Sequence, residues 1–453
     1  GETVRDEAMS HIMSAIDPAG AGELCLFNTL SWKRDDIVTV ECDRATAVRT
    51  ADGQTWPAQH YDNKLWFFAK GLPPLGWTTV TMAAGKTGPA AKTAQLKGNR
   101  LDTPFYTIQF SSDGCMKSLY DKLHKREVLD GGSGNEFQVF EDNPGKQFSG
   151  WDILESFENR RWDPRQSAAW KLVQNGPVMA VLRAEWTVLK SSIRQELIVY
   201  RDIARIDFKT KVNWQDSERL LKVAFPLAVR TLQASYDLPF GHQERPTHRN
   251  TSWDKAQFEV CAHKWADLSE GNYGVALIND CKYGYDAREN RLRLSLVRSP
   301  IRPNPVSDIG NHEFTYALLP HAGGWRDAHV DRRAYEFNMP VLSAWMPVPA
   351  KRRAGKPTVA ATYSLLALDS DSVMIETIKQ AEDDNDLVVR AFDSLGCRAN
   401  VTFSLSPKVK RVRQTNLMEE DEGAVSRQAP REFTDFVGPY EIKTYKVSLE
   451  KSH

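Results

Sequence analysis

The chain has 453 residues, enough for two to four domains with large buried cores. Lys plus Arg and Asp plus Glu both number 59, so the formal net charge is zero, and neither nucleic acid nor an anionic membrane surface is implied as a partner. Apolar residues make up 41%, yet no apolar run approaches the roughly 18 residues that span a bilayer, and no basic-then-apolar secretory pattern opens the chain. It begins with Gly1 and charged residues, as an excised segment would. The six cysteines, Cys25, Cys42, Cys115, Cys261, Cys281 and Cys397, are far apart and form no C-x-x-C pair. That argues against a zinc knuckle or a disulfide framework and reads as thiols of a reducing cytoplasm.

Residues 2–17 carry Met9, Ile12, Met13 and Ile16, one apolar helical face, which Pro18 and the Gly20/Gly22 pair end. From Leu24 the pattern changes, and short strands are read at 23–28, 36–41, 56–68 and 77–82, with Asp52-Gly53 and Leu72-Pro73-Pro74 as turns, a small β-sandwich. Residues 83–96, rich in Ala, Gly, Lys and Thr, read as a linker. The middle section opens with a hairpin about Asp113-Gly114. Its segments 191–200 and 205–214 alternate apolar and polar residues, as antiparallel strands with one wet face do. Such strands, without helical stretches between them over about 240 residues, predict one very large sandwich rather than a βαβ fold. The basic stretch 350–358 reads as a solvated loop, and strands at 373–379, 387–392, 400–405 and 440–447 predict a terminal sandwich with 383–386 as a hairpin loop. Thirteen tryptophans are an excess, read first as core filler and second as stacking surfaces for sugar rings.

The segment between Leu220 and His321 is the most distinctive. It runs through Phe240-Gly241-His242-Gln243-Glu244-Arg245-Pro246-Thr247-His248, Phe258-Glu259-Val260-Cys261-Ala262-His263-Lys264-Trp265, Gly274-Val275-Ala276-Leu277-Ile278-Asn279-Asp280 and His312-Glu313-Phe314-Thr315-Tyr316-Ala317-Leu318-Leu319-Pro320-His321. With Phe27-Asn28-Thr29-Leu30-Ser31-Trp32 near the start and Glu441-Ile442-Lys443-Thr444 near the end, this series resembles the α-mannosidases of glycoside hydrolase family 38, in their cytosolic, vacuolar and bacterial branch. The likeness covers nearly the whole chain in order. It implies a mainly β architecture with a large antiparallel supersandwich of the galactose mutarotase type. The implied divisions are a helix at 1–17 left from a helical bundle, a small sandwich at 18–90, the supersandwich at 91–345 and a C-terminal sandwich at 346–453.

Members of that family are zinc-dependent retaining exo-glycosidases acting on α-linked mannose in glycans. Their metal ligands and carboxylates lie in an N-terminal part that has no counterpart here. The resemblance therefore implies Zn²⁺ in the full-length enzyme but none on this chain, no catalytic residue here, and two partners: mannose-containing oligosaccharides and the N-terminal catalytic half. It leaves homo-oligomers open. Two regions match places where the β half reaches the pocket rim. In Ser149-Gly150-Trp151-Asp152, Trp151 would stack on a sugar and Asp152 accept hydroxyl hydrogens; relatives repeat the Trp-Asp doublet within a few residues, and one copy is clear here. In the loop from Arg298 to His312, Arg298, Asp308 and His312 would border the pocket, or Asp308 would simply hold Arg298 or Arg302.

The residues leave other chemistry open. His329-Val330-Asp331 has the H-x-D form of a zinc-ligand pair, but Arg332 and Arg333 follow it, and two cations oppose metal binding. His242, His248, His263, His312 and His321 form a metal cluster on one reading, structural histidines beside Arg245, Arg249 and Asp254 on another, and a carbohydrate-facing edge on a third. A free-standing carbohydrate-binding protein and, by fold analogy, a sugar mutarotase are the rival functions.

Overall fold

The structure, a computed structural model, describes all residues except 18–21, 44, 85–91, 146–148, 163–167, 348–358 and 451–453. The basic stretch 350–358 and the centre of the 83–96 linker lie outside the described residues. The chain is mainly β and forms two compact units, residues 1–89 with 339–453, and residues 90–338. Among the described residues no helix is long and apolar enough to cross a membrane.

In the first unit the helix Glu2–Ala15 ends where Ile16 turns extended. Met9, Ile12, Met13 and Ile16 pack as one stripe on Cys25, Phe27 and Trp77, so the helix gains from its apolar face what its short length cannot supply. An eight-stranded sheet carries Leu24–Asn28 between Gly76–Ala83 and Leu342–Trp345, strands far apart in sequence. Four- and five-stranded sheets follow, closed over a core in which Phe403 stacks on Phe433 with ring centroids 4.5 Å apart and Tyr445 stands edge-on to Phe403.

The second unit is an antiparallel sandwich of a nine-stranded and a six-stranded sheet, joined by a smaller five-stranded one. The strands Ser191–Tyr200 and Ile206–Trp214 pair along their length, from Ser192 opposite Asn213 to Val199 opposite Ile206. Their alternate residues Ile193, Leu197, Val199, Phe208 and Val212 enter one large core with Val223, Phe225, Leu277, Leu294 and Tyr316. The hairpin between Tyr106–Phe110 and Met116–Asp121 turns at Gly114, whose φ of +83° and close approach to Trp186 both require the missing side chain.

Two expectations are corrected. The linker at 83–96 already contains the start of a strand: Gln95–Lys97 pairs with Arg100–Asp102 across Gly98-Asn99, a two-residue hairpin whose glycine has φ +59°. The middle section is also not free of helices. Val330–Asn338 is helical, with Val330 and Ala334 buried one turn apart beneath a charged exterior that hid the stripe. Ser252–Ala256 is a single turn begun by a capping box in which Thr251 accepts from the Asp254 backbone and Asp254 from the Thr251 backbone. The T-x-x-D spelling was the available signal.

Candidate functional site

The strand Arg291–Arg298 ends at a guanidinium that organises the turn before it in space. Arg298 donates through Nε to Asp142 Oδ2 at 2.6 Å, through Nη1 to Gly150 O at 3.1 Å, and through Nη2 to Ser149 O at 2.6 Å and to Asp152 O. Gly150 N donates to Arg302 O at 2.8 Å, tying the turn to the loop after the strand. Asp142 is almost fully buried, and burial raises its carboxyl above the ordinary range even though Arg298 opposes the shift. One cation thus holds three carbonyls and a carboxylate, so the turn 149–152 has a fixed shape. Trp151 leaves it 73% exposed, and Asp152 is half-buried. Arg298 is committed to the chain itself, whereas Trp151 projects outward.

The other loop residues are placed less tightly. His312 is half-buried, its Nε2 2.8 Å from Asp308 O, and Asp308 is exposed with φ +56°. No ion pair joins Asp308 to Arg298 or Arg302 among the described residues, so Asp308 is not the brace that one sequence reading made it.

Beneath and beside the turn, the outer face of the six-stranded sheet is charged and covered rather than wet. Lys222 is fully buried, with Nζ 2.6 Å from Asp286 Oδ2 and bonded to Glu259. Arg293 donates to Asp286 at 2.8 Å and to Glu158, which also accepts from Arg288 at 2.9 Å and Arg249 at 3.1 Å. Burial pushes Glu259 up, while Lys222 and Arg293 overcome burial to hold Asp286 low; the arginines around Glu158 do the same for it. The lid over this lattice is the 3-10 segment Glu155–Arg160, with Phe157 against Phe140 at 5.0 Å, and the Ser252–Ala256 turn, joined to it by Lys255 and Glu155 at 2.8 Å. Trp253 is 82% exposed on this lid, and Trp162, in the short edge strand Arg161–Trp162 that follows it, is 46% exposed. Eight of the thirteen tryptophans are buried as core filler, but those on the lid and turn face outward. The Trp162-Asp163 doublet, eleven residues after Trp151-Asp152, was the signal for the lid that sequence reading passed over.

The histidines are dispersed. His321 Nε2 lies 2.8 Å from the buried Asp267, His248 3.4 Å from Asp254, and His263 stacks near Tyr283 at 5.3 Å. His242 packs on Trp325, and burial, aided by Arg326, lowers it to about 4, so at neutral pH it accepts from Arg326 at 2.9 Å. His329 and Asp331 sit at a helix start beside Arg332 and Arg333, with Asp331 buried. Among the described residues no three His, Cys, Asp or Glu side chains converge on a point where a metal could sit.

Residues 101–306 match the family described as glycosyl hydrolases family 38 C-terminal domain, and residues 372–445 the family 38 C-terminal beta sandwich domain. Alpha-mannosidase G of Dictyostelium discoideum is 36% identical over 83% of this chain and 36% of its own length. Alpha-mannosidase 2C1 of Homo sapiens is 33% identical over 93% of this chain and 40% of its own. The chain thus spans about two-fifths of the length of these curated relatives. In fold it superposes on an alpha-mannosidase from Enterococcus faecalis V583 with a TM-score of 0.75 at 16% identity, over 98% of this chain and 58% of that one. Two family matches in the expected order, with relatives above 30% identity along most of its length, make this chain the C-terminal, β-rich part of a glycosyl hydrolase family 38 protein.

Proposed function

We propose that this chain is the C-terminal portion of an α-mannosidase that removes terminal α-linked mannose from glycans. In that enzyme it supplies scaffold and part of the substrate rim. The observation that carries the reading is the turn 149–152, where Arg298 freezes the backbone and leaves Trp151 projecting beside Asp152. An exposed indole on a rigid turn offers a sugar ring a flat apolar face, and a neighbouring carboxylate accepts hydroxyl hydrogens. In this reading Trp151 and Asp152 touch the glycan, Asp308 and His312 border it, and Arg298 is the residue that positions them.

Bond cleavage belongs to the portion present in the longer relatives. A retaining glycosidase needs two carboxyl groups about 5–5.5 Å apart across the scissile bond. Here the close-set acids Glu158, Glu259 and the buried Asp286 are consumed by Lys222 and arginines. Zinc, which the family implies, finds no converging donors among the described residues, and in this reading the metal belongs to the other portion. The six cysteines, far apart in sequence and without a C-x-x-C pair, favour a reducing cytoplasm. The test is an aryl α-mannoside assay on the chain alone with added Zn²⁺: no turnover is expected, and zinc-dependent hydrolysis would overturn the assignment.

The outward Trp162 and Trp253 support a second reading, glycan capture by this chain without its catalytic partner. Binding of mannose oligosaccharides that is lost in Trp162→Ala and Trp253→Ala, in a protein shown to have no longer form, would favour it.

A further inference from the structure

A cleft of 830 Å³ opens at the other end of the six-stranded sheet from the tryptophan turn. The turn is fixed to the Arg219 and Arg298 end; the cleft lies just past Pro226 and before Arg291. The strand Arg219–Pro226 separates them by ~23 Å of extended chain. Its volume falls in the range of roughly 300–1,000 Å³ that holds small ligands.

The walls are built before any ligand arrives. Arg126 pairs with Glu270 at 2.9 Å, donates to Ala228 O at 2.6 Å and lies over the Tyr273 ring at 4.1 Å. Glu270 also accepts from Arg230 N at 2.9 Å. Asn290 Nδ2 donates to Asp130 Oδ2 at 2.6 Å and to Leu227 O at 3.0 Å, and Thr247 Oγ1 donates to Thr231 O at 2.9 Å. A cleft fixed in this way loses little conformational freedom on binding.

What faces the opening is different in kind. Arg230 and Glu289 are exposed, and their charged heads carry no hydrogen bond among the described residues. Asp130 is exposed as well, and Leu232, 71% exposed, forms an apolar ledge. Arg126 is neutralised by Glu270 and His248 faces Asp254, so the charges left at the mouth are Arg230 against Asp130 and Glu289. That slight excess of carboxylate, with a carboxylate and a guanidinium that make no side-chain hydrogen bond among the described residues, gives no preference for an anion. It suits a neutral ligand with many hydroxyls, whose hydrogens the carboxylates accept and whose oxygens the guanidinium meets.

We infer that this cleft is a second carbohydrate subsite, which holds a neutral oligosaccharide arm away from the tryptophan turn. The inference rests on the reading of the chain as part of a mannoside hydrolase, and its test separates the two. The full chain is titrated with α-mannotriose by calorimetry and saturation-transfer NMR, beside Trp151→Ala, and beside the double variant Arg230→Ala/Glu289→Ala. The last two side chains are exposed and make no hydrogen bond among the described residues, so the melting temperature is expected to stay within about a degree or two. The expected result is binding that survives Trp151→Ala and weakens by about tenfold or more in the double variant. Binding abolished by Trp151→Ala and untouched by the double variant would overturn the subsite and leave the rim reading standing. No binding to the wild type at about 20 mM would overturn it too, and the rim would then be judged on the longer enzyme. Tighter binding of inorganic phosphate than of mannotriose at the same residues would replace the neutral ligand with an anion and overturn the proposal.

Discussion

Arg298 shows how one side chain can fix the shape of a surface turn that it does not belong to. Its five donors suit a planar fork of acceptors, and it uses them on Asp142 and the carbonyls of residues 149, 150 and 152. Lysine would keep the charge opposite Asp142 but cannot span three carbonyls. Arg298→Lys is expected to leave the melting temperature within a few degrees while amide exchange across 149–152 accelerates by about tenfold or more, read by hydrogen–deuterium exchange. Arg298→Met removes the counter-charge from a buried carboxylate and is expected to cost ~3–5 kcal/mol in denaturant unfolding. Equal exchange at 149–152 in wild type and Arg298→Lys would show that the turn holds itself. His242 carries a pH signature of its own. Its folded pKa of about 4 lies below the unfolded value of 6.5, so the unfolded chain takes up the proton first. Its stabilising effect is complete above pH 6.5 and is lost as pH falls toward 4. The difference in melting temperature between wild type and His242→Gln should therefore shrink across that window, and a difference constant with pH would refute the assignment.

At the scale of elements, the long strands could be read from their letters because alternation is local: Ile193, Leu197 and Val199 announce their own face. The lid could not. The segment Glu155–Arg160 has no period, and Glu158 finds its arginines 91 to 135 residues away. Trp151 and Asp152 were singled out through likeness alone, and that likeness proposed a rim place for Arg298 without indicating its hold on the turn 149–152. The same distance problem hid the charged lattice. Lys222 lies in an apolar run, Leu220-Leu221-Lys222-Val223-Ala224-Phe225, and its partners Glu259 and Asp286 come from other parts of the sheet. Those groups sit under a lid instead of water, so removing one leaves the others uncompensated. Lys222→Met is expected to destabilise by ~3–5 kcal/mol, while replacing Lys222, Glu259 and Asp286 together with apolar residues should recover most of that loss. Chemical denaturation of both variants decides it; a triple variant no more stable than Lys222→Met would mean that the lid needs the charges themselves.

At the scale of the molecule, the two units differ in how the chain supplies them. Residues 90–338 are continuous and enclose their own core, from Leu101 to Leu318. The other unit is assembled from both ends of the sequence. Leu24–Asn28 lies between Gly76–Ala83 and the distant Leu342–Trp345, Thr362–Ser364 adds to Gly76–Ala83, and the helix stripe of Met13 and Ile16 shares its cluster with Leu342, Val359 and Tyr363. Composition and periodicity carry no record of such pairing, since strand partners are chosen by register and burial and not by proximity in sequence. The consequence is an asymmetry in what can be cut away. A fragment of residues 90–338 keeps every strand of its nine- and six-stranded sheets and is expected to unfold in one cooperative transition with the near-ultraviolet dichroism of a packed aromatic core. A fragment of residues 1–89 loses the sheet neighbours of two strands and exposes Phe27 and Trp77, and is expected to show no cooperative melt. Adding residues 339–450 in trans should restore it, because the missing pairing is carried there; a fragment 1–89 that melted cooperatively by itself would show that the small sheet does not depend on the far end of the chain.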